Sequence, residues 1–502
     1  MQQMHDISVQ SDEKTLKKYS ERPLLNYTKQ EWKLPLGFLL SMTLCGLNFY
    51  PALLLVIGTL VYAFKHDRYS FVIMLTIFFG GFAFTASKWL VLPTSDFALV
   101  LAVVLAFLYK KNKAEKRTLW CILGYAASLI VLATYSLESM SVQMISIRNY
   151  LGFIYFIVPI ACFAGMQFDI NIFFRKIILF GLLVSAFYVI DTFILGGNIL
   201  IPHTFAWGVP PSTFDHLRMH PLSPLGRKYP VGMYITMLSV YPIARHYRLT
   251  KVQWAILILG LFSTKTFSLI SGFVVIYILC IGKIKTLIKC LIIVVIAAVS
   301  LYFVDGWLPV SNKSKSLNNE TPLRIKSSVD QFISLSEAVD AEDIAQFASG
   351  RMAQILPKVE LVMHEKRQWT GLGFLHPDYT KITRYIIHNE YYSDETQAEE
   401  LAFEVENVPV QVFLTIGYIG LAIHILFFVL LCLIVRRKQD AMYFISVLLL
   451  CFWGGMGGFS NLNNFYGLSL CSLAYGIVLL QGRRREKENN KQRVHRKSAF
   501  ER

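Results

Sequence analysis

Charged residues make up only 16% of this chain of 502 residues, whereas soluble domains carry about 25%. Apolar residues reach 54% of the chain, and the mean hydropathy is +0.47. They are collected into long runs such as 98–107, 292–304 and 427–435. A soluble core would show shorter amphipathic stripes, so the composition excludes an ordinary soluble protein and predicts a polytopic membrane protein.

Several sequence motifs of well-known enzyme classes are missing. The chain has no Walker phosphate loop, no HExxH and no GxSxG, and the short stretch GLGF at 371–374 is not a nucleotide fingerprint. None of the eight cysteines has a CxxC partner, so neither a zinc site nor a disulfide framework is predicted. We therefore expect no metal and no cofactor, and any reaction must use a substrate that already carries a good leaving group.

The net charge of +16 raises the question of nucleic acid. The basic residues lie in short segments between apolar runs, as cytoplasmic loops do, and not in a stripe with aromatics. If the N-terminus is cytoplasmic, the inner segments hold 33 of the 49 Lys and Arg residues. This asymmetry follows the positive-inside rule, so we predict cytoplasmic termini and reject a nucleic-acid partner. The polar first 33 residues predict no cleavable signal peptide.

About 12–14 transmembrane helices are predicted, so the fold class is an all-α polytopic membrane protein. The apolar segments are 34–49, 50–64, 70–86, 94–109, 118–135, 148–166, 174–195, 229–246, 252–264, 266–281, 290–304, 407–435, 440–458 and 462–481. Whether 34–64 and 252–281 are full spans or re-entrant hairpins stays open. The predicted regions are a cytoplasmic segment 1–33, a bundle 34–304, a large outer loop 305–405, C-terminal spans 406–482 and a basic tail 483–502.

Two outer segments carry the polar residues outside the membrane. The first is the loop 196–229, and the second is the loop 305–405, which holds ten Lys and Arg and 16 Asp and Glu residues. A loop this long is uncommon and is usually functional. The outer side also carries basic residues that oppose the charge rule: Arg148, Arg218, Arg227, Lys228, Lys265 and Arg351. Convergent guanidinium groups suit a diphosphate, but each could equally reach lipid headgroups or pair with a loop carboxylate.

A histidine in the large loop is the candidate general base. His388 could take a proton from a hydroxyl near neutral pH, and Asn389 and Glu390 could orient it or a sugar. On spacing alone, a surface histidine in a polar loop fits His388 better. Five other histidines on the predicted outer side are alternative candidates for the general base: His203, His216, His220, His364 and His376. His424 lies inside an apolar run and is interpreted as a packed or helix-bonded histidine.

Four short motifs follow one another in the C-terminal third. They are SGR at 349–351, GLGF at 371–374, HNEYY at 388–392 and ENVPVQVFLTIGYIGL at 406–421. In this order they resemble the bacterial O-antigen ligase and polysaccharide polymerase family, which has a GT-C-type membrane fold. The segment RMHPLSPLGRKYPVGMY at 218–234 resembles the arginine–proline segment of that family. One departure is the STKTFS stretch, where Lys265 stands in place of the arginine that the family often has.

The resemblance implies inverting glycosyl transfer on the outer side of a bacterial cytoplasmic (inner) membrane, without metal or nucleotide. The donor would be an oligosaccharide linked to undecaprenyl diphosphate, so that carrier enters as part of the substrate. His388 and Arg351 would be catalytic. The substrate-binding residues would be Arg218, Arg227, Lys228, Arg148, Lys265, Asn389, Glu390 and His220.

Several alternatives remain open at this level. Polymerisation of repeat units is preferred because the large loop is acidic, but a ligase that transfers the glycan to a lipid A core shares the chemistry. A lipid-linked oligosaccharide flippase or other transporter can have as many spans, although transporters usually place polar groups at the bilayer midplane. Membrane lipids are expected partners, and a chain-length regulator and a flippase are candidate protein partners.

Overall fold

A computed structural model of the chain provides the structure. It describes residues 22–44, 49–85, 91–109, 111–136, 148–164, 166–195, 219–221, 231–263, 267–281, 359, 362–374, 408–456 and 465–481. This part of the chain is mostly helical. It therefore agrees with the predicted class of helical membrane protein.

Fourteen helices and three short strands are numbered here in chain order. They are α1 Lys29–Leu44, α2 Phe49–His66, α3 Arg68–Gly81, β1 Phe82–Thr85, β2 Val91–Pro93, α4 Thr94–Leu108, α5 Lys113–Ala133, α6 Ile157–Cys162, α7 Ile170–Val189, β3 Met219–Pro221, α8 Val231–Leu238, α9 Val240–Arg245, α10 Lys251–Ser263, α11 Phe267–Ile281, α12 Val408–Val435, α13 Ala441–Met456 and α14 Phe465–Leu480. A 3₁₀ segment, Arg148–Phe156, precedes α6, and a π turn, Ile190–Ile194, extends α7.

Three of the described helices are long and apolar enough to cross a membrane: Lys113–Ala133, Ile170–Ile194 and Pro409–Val435. Eight further apolar helices are shorter. Most of the helices occupy predicted apolar segments, because the hydrophobic runs are bounded by charged residues. The count of 12–14 spans, the large outer loop and the GT-C-like arrangement stay predictions. The predicted segment 290–304 lies outside the described residues.

The predicted apolar segment 229–246 holds two helices instead of one continuous helix, with a break at Ser239. Helix α8 ends at Leu238 and α9 begins at Val240. The cause is Pro242, which has no N–H and so cannot donate to the carbonyl four residues earlier. Ser239 uses its side chain to donate to the Thr236 carbonyl at 2.5 Å, which caps the first piece.

Two other predicted helices are replaced in part by different structure. The segment 148–166 is a 3₁₀ segment followed by the six-residue helix α6. The segment 70–86 leaves helical geometry after Gly81 and continues as β1. β1 pairs antiparallel with both β2 and β3, with Ala83 opposite Pro93 and His220. The all-α prediction therefore misses a small three-stranded sheet of order β2-β1-β3.

Helix α7 lies at the centre of the described bundle. It packs against α8, α10, α3 and α1, and Phe174, Ile177 and Tyr188 are fully buried. Small residues allow the close approach, since a Cβ at Gly260 of α10 would lie 2.6 Å from the Ser185 Cβ of α7. Helices α5 and α12 pack against each other and are less buried than α7. They form a helix pair at the periphery of the described bundle, with one exposed apolar face.

A buried carboxylate connects the turn after α12 with the ends of α9 and α14. Asp440, in the turn between α12 and α13, is 3% exposed. It accepts hydrogen bonds from Tyr241 at 2.8 Å, His246 at 2.9 Å and the Gln481 amide at 2.6 Å. Lys438 donates to the Gln481 carbonyl at 2.7 Å. The turn of the predicted inner side is thereby tied to α9 and to the end of α14.

The pH dependence of stability tests this cluster. Burial alone would raise the pKa of Asp440, but the hydrogen bonds from His246, Tyr241 and Gln481 outweigh it and hold the pKa below its usual value. A carboxylate with a lowered pKa stabilises the fold above the unfolded-state pKa of about 3.9 and loses that contribution as the pH falls further. We expect Asp440→Asn to cost about 1.5–3 kcal/mol at neutral pH. The measurement is thermal unfolding in detergent.

The same measurement has an internal control. Tyr241→Phe removes one of the three donors and should have a smaller effect than Asp440→Asn. The difference between wild-type protein and Asp440→Asn should shrink below about pH 4. A difference that stays constant into acid would show that the carboxylate charge does not stabilise the cluster.

Candidate functional site

Most of the predicted site residues lie outside the part of the chain that the structure describes. These are Lys265, Arg351, Arg218, Arg227, Lys228, His388, Asn389 and Glu390. Two others are placed by their backbone. Arg148 begins the 3₁₀ segment, and His220 lies in β3 opposite Ala83 of β1. The convergence of the basic residues around His388 therefore stays a prediction.

One part of the large loop is described, and it meets a break in helix α12. The break is at Gly417, whose φ of 65° and ψ of −169° are not helical. Residues 368–373 of the loop, QWTGLG, lie against residues 414–419 of the helix, LTIGYI. We call these two six-residue segments the glycine clasp. It contains the GLG part of the GLGF motif and the TIG part of the motif at 406–421.

The glycine clasp has reciprocal backbone hydrogen bonds. The amides of Leu372 and Gly373 donate to the carbonyls of Leu414 and Thr415, at 2.8 and 2.9 Å. In return, the amides of Tyr418 and Ile419 donate to the carbonyls of Gln368 and Trp369, at 2.9 and 3.2 Å. In each segment the first two carbonyls accept and the last two amides donate. The two segments are thus related by a local pseudo-twofold axis.

A glycine stands fourth in each segment for the same two reasons. Gly371 has a φ of 74° and Gly417 a φ of 65°, in the left-handed region that other residues avoid. A Cβ at Gly371 would overlap the carbonyl of Thr415, and a Cβ at Gly417 would overlap the carbonyl of Trp369. Both the backbone conformation and the close approach of the segments therefore require glycine.

The clasp is also attached to the end of helix α5. Ser136 donates from its hydroxyl to the Leu372 carbonyl at 3.1 Å, and the Arg367 guanidinium donates to the Tyr135 carbonyl at 2.6 Å. The Arg367 carbonyl accepts the Gly371 amide at 2.7 Å, which closes the turn before the glycine. The loop therefore joins the end of α5 to α12 at one end of this peripheral helix pair.

The hydrogen bonds of the clasp have a structural role. A broken helix leaves amides and carbonyls without partners, and each such group costs about 1–3 kcal/mol when it is buried. Here the loop backbone satisfies two amides and two carbonyls at the break. The clasp thereby fixes the position of residues 368–373 against α12.

A buried polar pair lies two helical turns further along α12. His424 is 7% exposed, and its Nδ1 is 2.6 Å from the Tyr125 hydroxyl of α5. Its ring meets Phe428 edge to face, and Tyr125 stacks on Phe427 at 4.7 Å. The interpretation of His424 as a packed, hydrogen-bonded histidine is confirmed. Its Nε2 has no hydrogen-bond partner within the described ranges.

Within the same ranges, no group of three or more His, Cys, Asp or Glu side chains could hold a metal ion. No protein-family model and no curated protein matches the chain.

Sequence reasoning missed the clasp and the Asp440 cluster. The signal for the clasp was present in the two threonine- and glycine-containing stretches at 370–373 and 415–420, which are weak on their own. No local sequence pattern predicts that these two turns are in contact, because they lie more than forty residues apart. Asp440 lies in a turn of mostly basic residues, and its hydrogen-bond partners come from elements that are distant in the sequence. No local pattern therefore predicts the cluster.

Proposed function

We propose that this chain polymerises oligosaccharide repeat units linked to undecaprenyl diphosphate into a surface polysaccharide. The active site lies on the outer side of a bacterial cytoplasmic membrane, which is the side opposite the Lys- and Arg-rich turns. One observation carries the proposal. Two of the four motifs behind the family resemblance meet in the clasp, where Leu372 and Gly373 of GLGF donate to the carbonyls of Leu414 and Thr415 in the Gly417 stretch. Motifs that act together are expected to meet in this way.

The proposed reaction is an inverting glycosyl transfer. A sugar hydroxyl of the acceptor attacks the anomeric carbon of the donor glycan, and the bond from that carbon to the lipid diphosphate breaks. His388 takes the proton of the attacking hydroxyl. Arg351, with Arg218 and Arg227, stabilises the charge that develops on the departing diphosphate. Lys228, Arg148, Lys265, Asn389, Glu390 and His220 bind substrate in this proposal.

A transporter is the second candidate, and the break in α12 is an observation in its favour. Discontinuous helices are typical of transporters, where unwound backbone coordinates substrate or ions near the bilayer midplane. At Gly417, however, the groups at the break are paired with the loop. The break also lies 18 residues before Val435, which is about 27 Å along a helix and close to a full hydrocarbon thickness. Both features favour a structural break near the membrane surface.

The experiment that tests the proposal is polymerisation in detergent. Purified protein is incubated with a synthetic undecaprenyl-diphosphate repeat unit, and the products are separated on a gel. A polymerase should yield a ladder without any membrane compartments, whereas a transporter should leave the substrate unchanged. A ligase should consume the donor only when a lipid A core acceptor is added. An unchanged donor under all conditions would contradict glycosyl transfer.

The arginines give a sharper prediction in the same assay. Arg351→Lys and Arg218→Lys should each slow ladder formation, because lysine keeps the charge but cannot make the bidentate contact with a phosphate. We expect a loss of about tenfold or more for each, since one charge-assisted hydrogen bond is worth about 1.5–3 kcal/mol. Arg437→Lys is the matched control, because Arg437 is exposed in the turn after α12 on the predicted inner side. Full activity of the double Arg→Lys variant would exclude diphosphate binding by this pair.

A further inference from the structure

The clasp carries an exposed aromatic pair at the end of the apolar face of α12. Trp369 is 62% exposed and Tyr418 is 45% exposed, and their rings meet edge to face at 5.7 Å. Tyr418 and Ile419 begin a continuous exposed stripe on the helix. The stripe continues with Ala422, Ile425, Leu426, Val429, Leu430 and Leu433. The aromatic pair therefore lies at one end of an exposed apolar helix face, and such a face is suited to contact lipid chains.

The depth of the pair follows from helix lengths. Val435 to Gly417 covers 18 residues, about 27 Å of helix, against a hydrocarbon layer of about 30 Å. The apolar part of helix α5 runs from Thr118 to Ala133, about 23 Å by the same rise, and it ends two residues before Tyr135. Two independent helices thus place the clasp at the boundary between hydrocarbon and headgroups. This is the level at which Trp and Tyr are enriched in membrane proteins.

Two basic residues precede Trp369 in the chain. Lys366 is exposed, and Arg367 is partly exposed while it donates to the Tyr135 carbonyl. The acidic residue before them, Glu365, lies 3.5 Å from His364. Residues 365–369 thus carry two basic side chains and one acidic side chain, and this net positive charge complements anionic headgroups.

From this geometry we infer that the patch formed by Trp369, Tyr418, Lys366 and Arg367 binds anionic phospholipid in the leaflet at the Gly417 end of α12. The aromatic rings lie in the interface, and the two cations contact headgroup phosphates. The lipid-bound segment 366–369 of the large loop is thus a membrane-surface element. It holds the clasp at a fixed depth.

Fluorine NMR of fluorotryptophan-labelled protein in nanodiscs tests the depth. The Trp369 signal is assigned with Trp369→Phe, and the variant Leu426→Trp supplies a control, because Leu426 is 52% exposed and lies midway between Gly417 and Val435 on α12. A paramagnetic headgroup should broaden the Trp369 signal more than a paramagnetic chain end does. The added signal of Leu426→Trp should show the opposite order. A Trp369 signal that responds to a soluble paramagnetic chelate or to added oligosaccharide, and not to lipid labels, would overturn the inference.

The headgroup contact is tested by lipid retention. Protein in mixed phosphatidylcholine and phosphatidylglycerol is delipidated stepwise, and the bound lipids are counted by native mass spectrometry. Lys366→Gln should lower the affinity for phosphatidylglycerol about fivefold, the factor that corresponds to about 1 kcal/mol per basic residue near an anionic surface. Phosphatidylcholine retention should stay the same. Equal loss of both lipids, or no loss of either, would show that the patch does not select anionic headgroups.

Discussion

Replacement of Gly417 by alanine is expected to prevent residues 414–419 of α12 from assembling with the loop. The new Cβ would overlap the Trp369 carbonyl, which belongs to the backbone and cannot move aside as a side-chain tip could. If the segments separate, two amides and two carbonyls at the break lose their partners. Leu414, Thr415 and Ile416 are buried in the protein, where each polar group left without a partner costs about 1–3 kcal/mol. We therefore expect a loss of more than about 4 kcal/mol, an exceptional value for one substitution. Gly371→Ala should have a similar effect, because the clasp is pseudo-symmetric.

Thermal unfolding and yield of monodisperse protein measure this effect, and the chain offers matched controls. At Gly124 in α5 and Gly58 in α2, an alanine Cβ would have no neighbouring atom within 4 Å. Gly→Ala there should be neutral or should stabilise by up to about 1 kcal/mol, because alanine favours helix. All four variants are therefore the same chemical change, and only the two in the clasp should fail.

Asparagine should not rescue position 417. It tolerates the left-handed helical region better than other non-glycine residues do, but Gly417 combines a φ of 65° with a ψ of −169°, a region that is essentially confined to glycine. Its Cβ would also overlap the Trp369 carbonyl, so we expect Gly417→Asn to be no better than Gly417→Ala. Wild-type stability in Gly417→Ala would show that the two segments do not meet.

The helix positions were largely predictable because hydrophobic runs and charged ends are local signals. The apolar segment 252–264 became helix Lys251–Ser263. Helix α5 begins five residues before the predicted segment, since Asn112 and Glu115 form a capping box within a run of lysines. That box is readable in the sequence, but the basic residues around it suggested only a loop.

The breaks and the pairings were harder to predict, for a physical reason. A proline at 242 can be read as a helix breaker, yet many membrane helices accommodate one. The small sheet depends on strands from two distant parts of the chain, and its residues also suit apolar helix. The clasp requires two glycine turns to meet, which no single stretch encodes. Of the candidate site, the motif order was readable, but its catalytic geometry depends on contacts between distant segments.

The largest effect on activity is expected at His388. If it is the general base, His388→Ala should leave the protein folded and inserted but almost without polymer formation. A positioned base contributes about 10²–10⁴-fold to a rate, so residual activity should be small. The matched control is His364→Ala, since His364 is an exposed histidine of the same loop and lies 3.5 Å from Glu365. This control should polymerise at nearly the wild-type rate.

The pH–rate profile and substrate binding decide between the possible roles of His388. A base should give a limb near the imidazole pKa of about 6.5, and His388→Ala should lose that limb. If His388 only binds the acceptor sugar, His388→Gln should keep substantial rate, because the amide can still form a hydrogen bond. Attack on a carbocation-like anomeric carbon needs little early proton removal, so a modest loss of rate would mean that no base is required. Binding of the lipid-linked substrate to His388→Ala, measured separately from turnover, completes the distinction. Normal binding with lost turnover supports a base, whereas lost binding supports a role in substrate recognition. Normal turnover would leave HNEYY without a catalytic role.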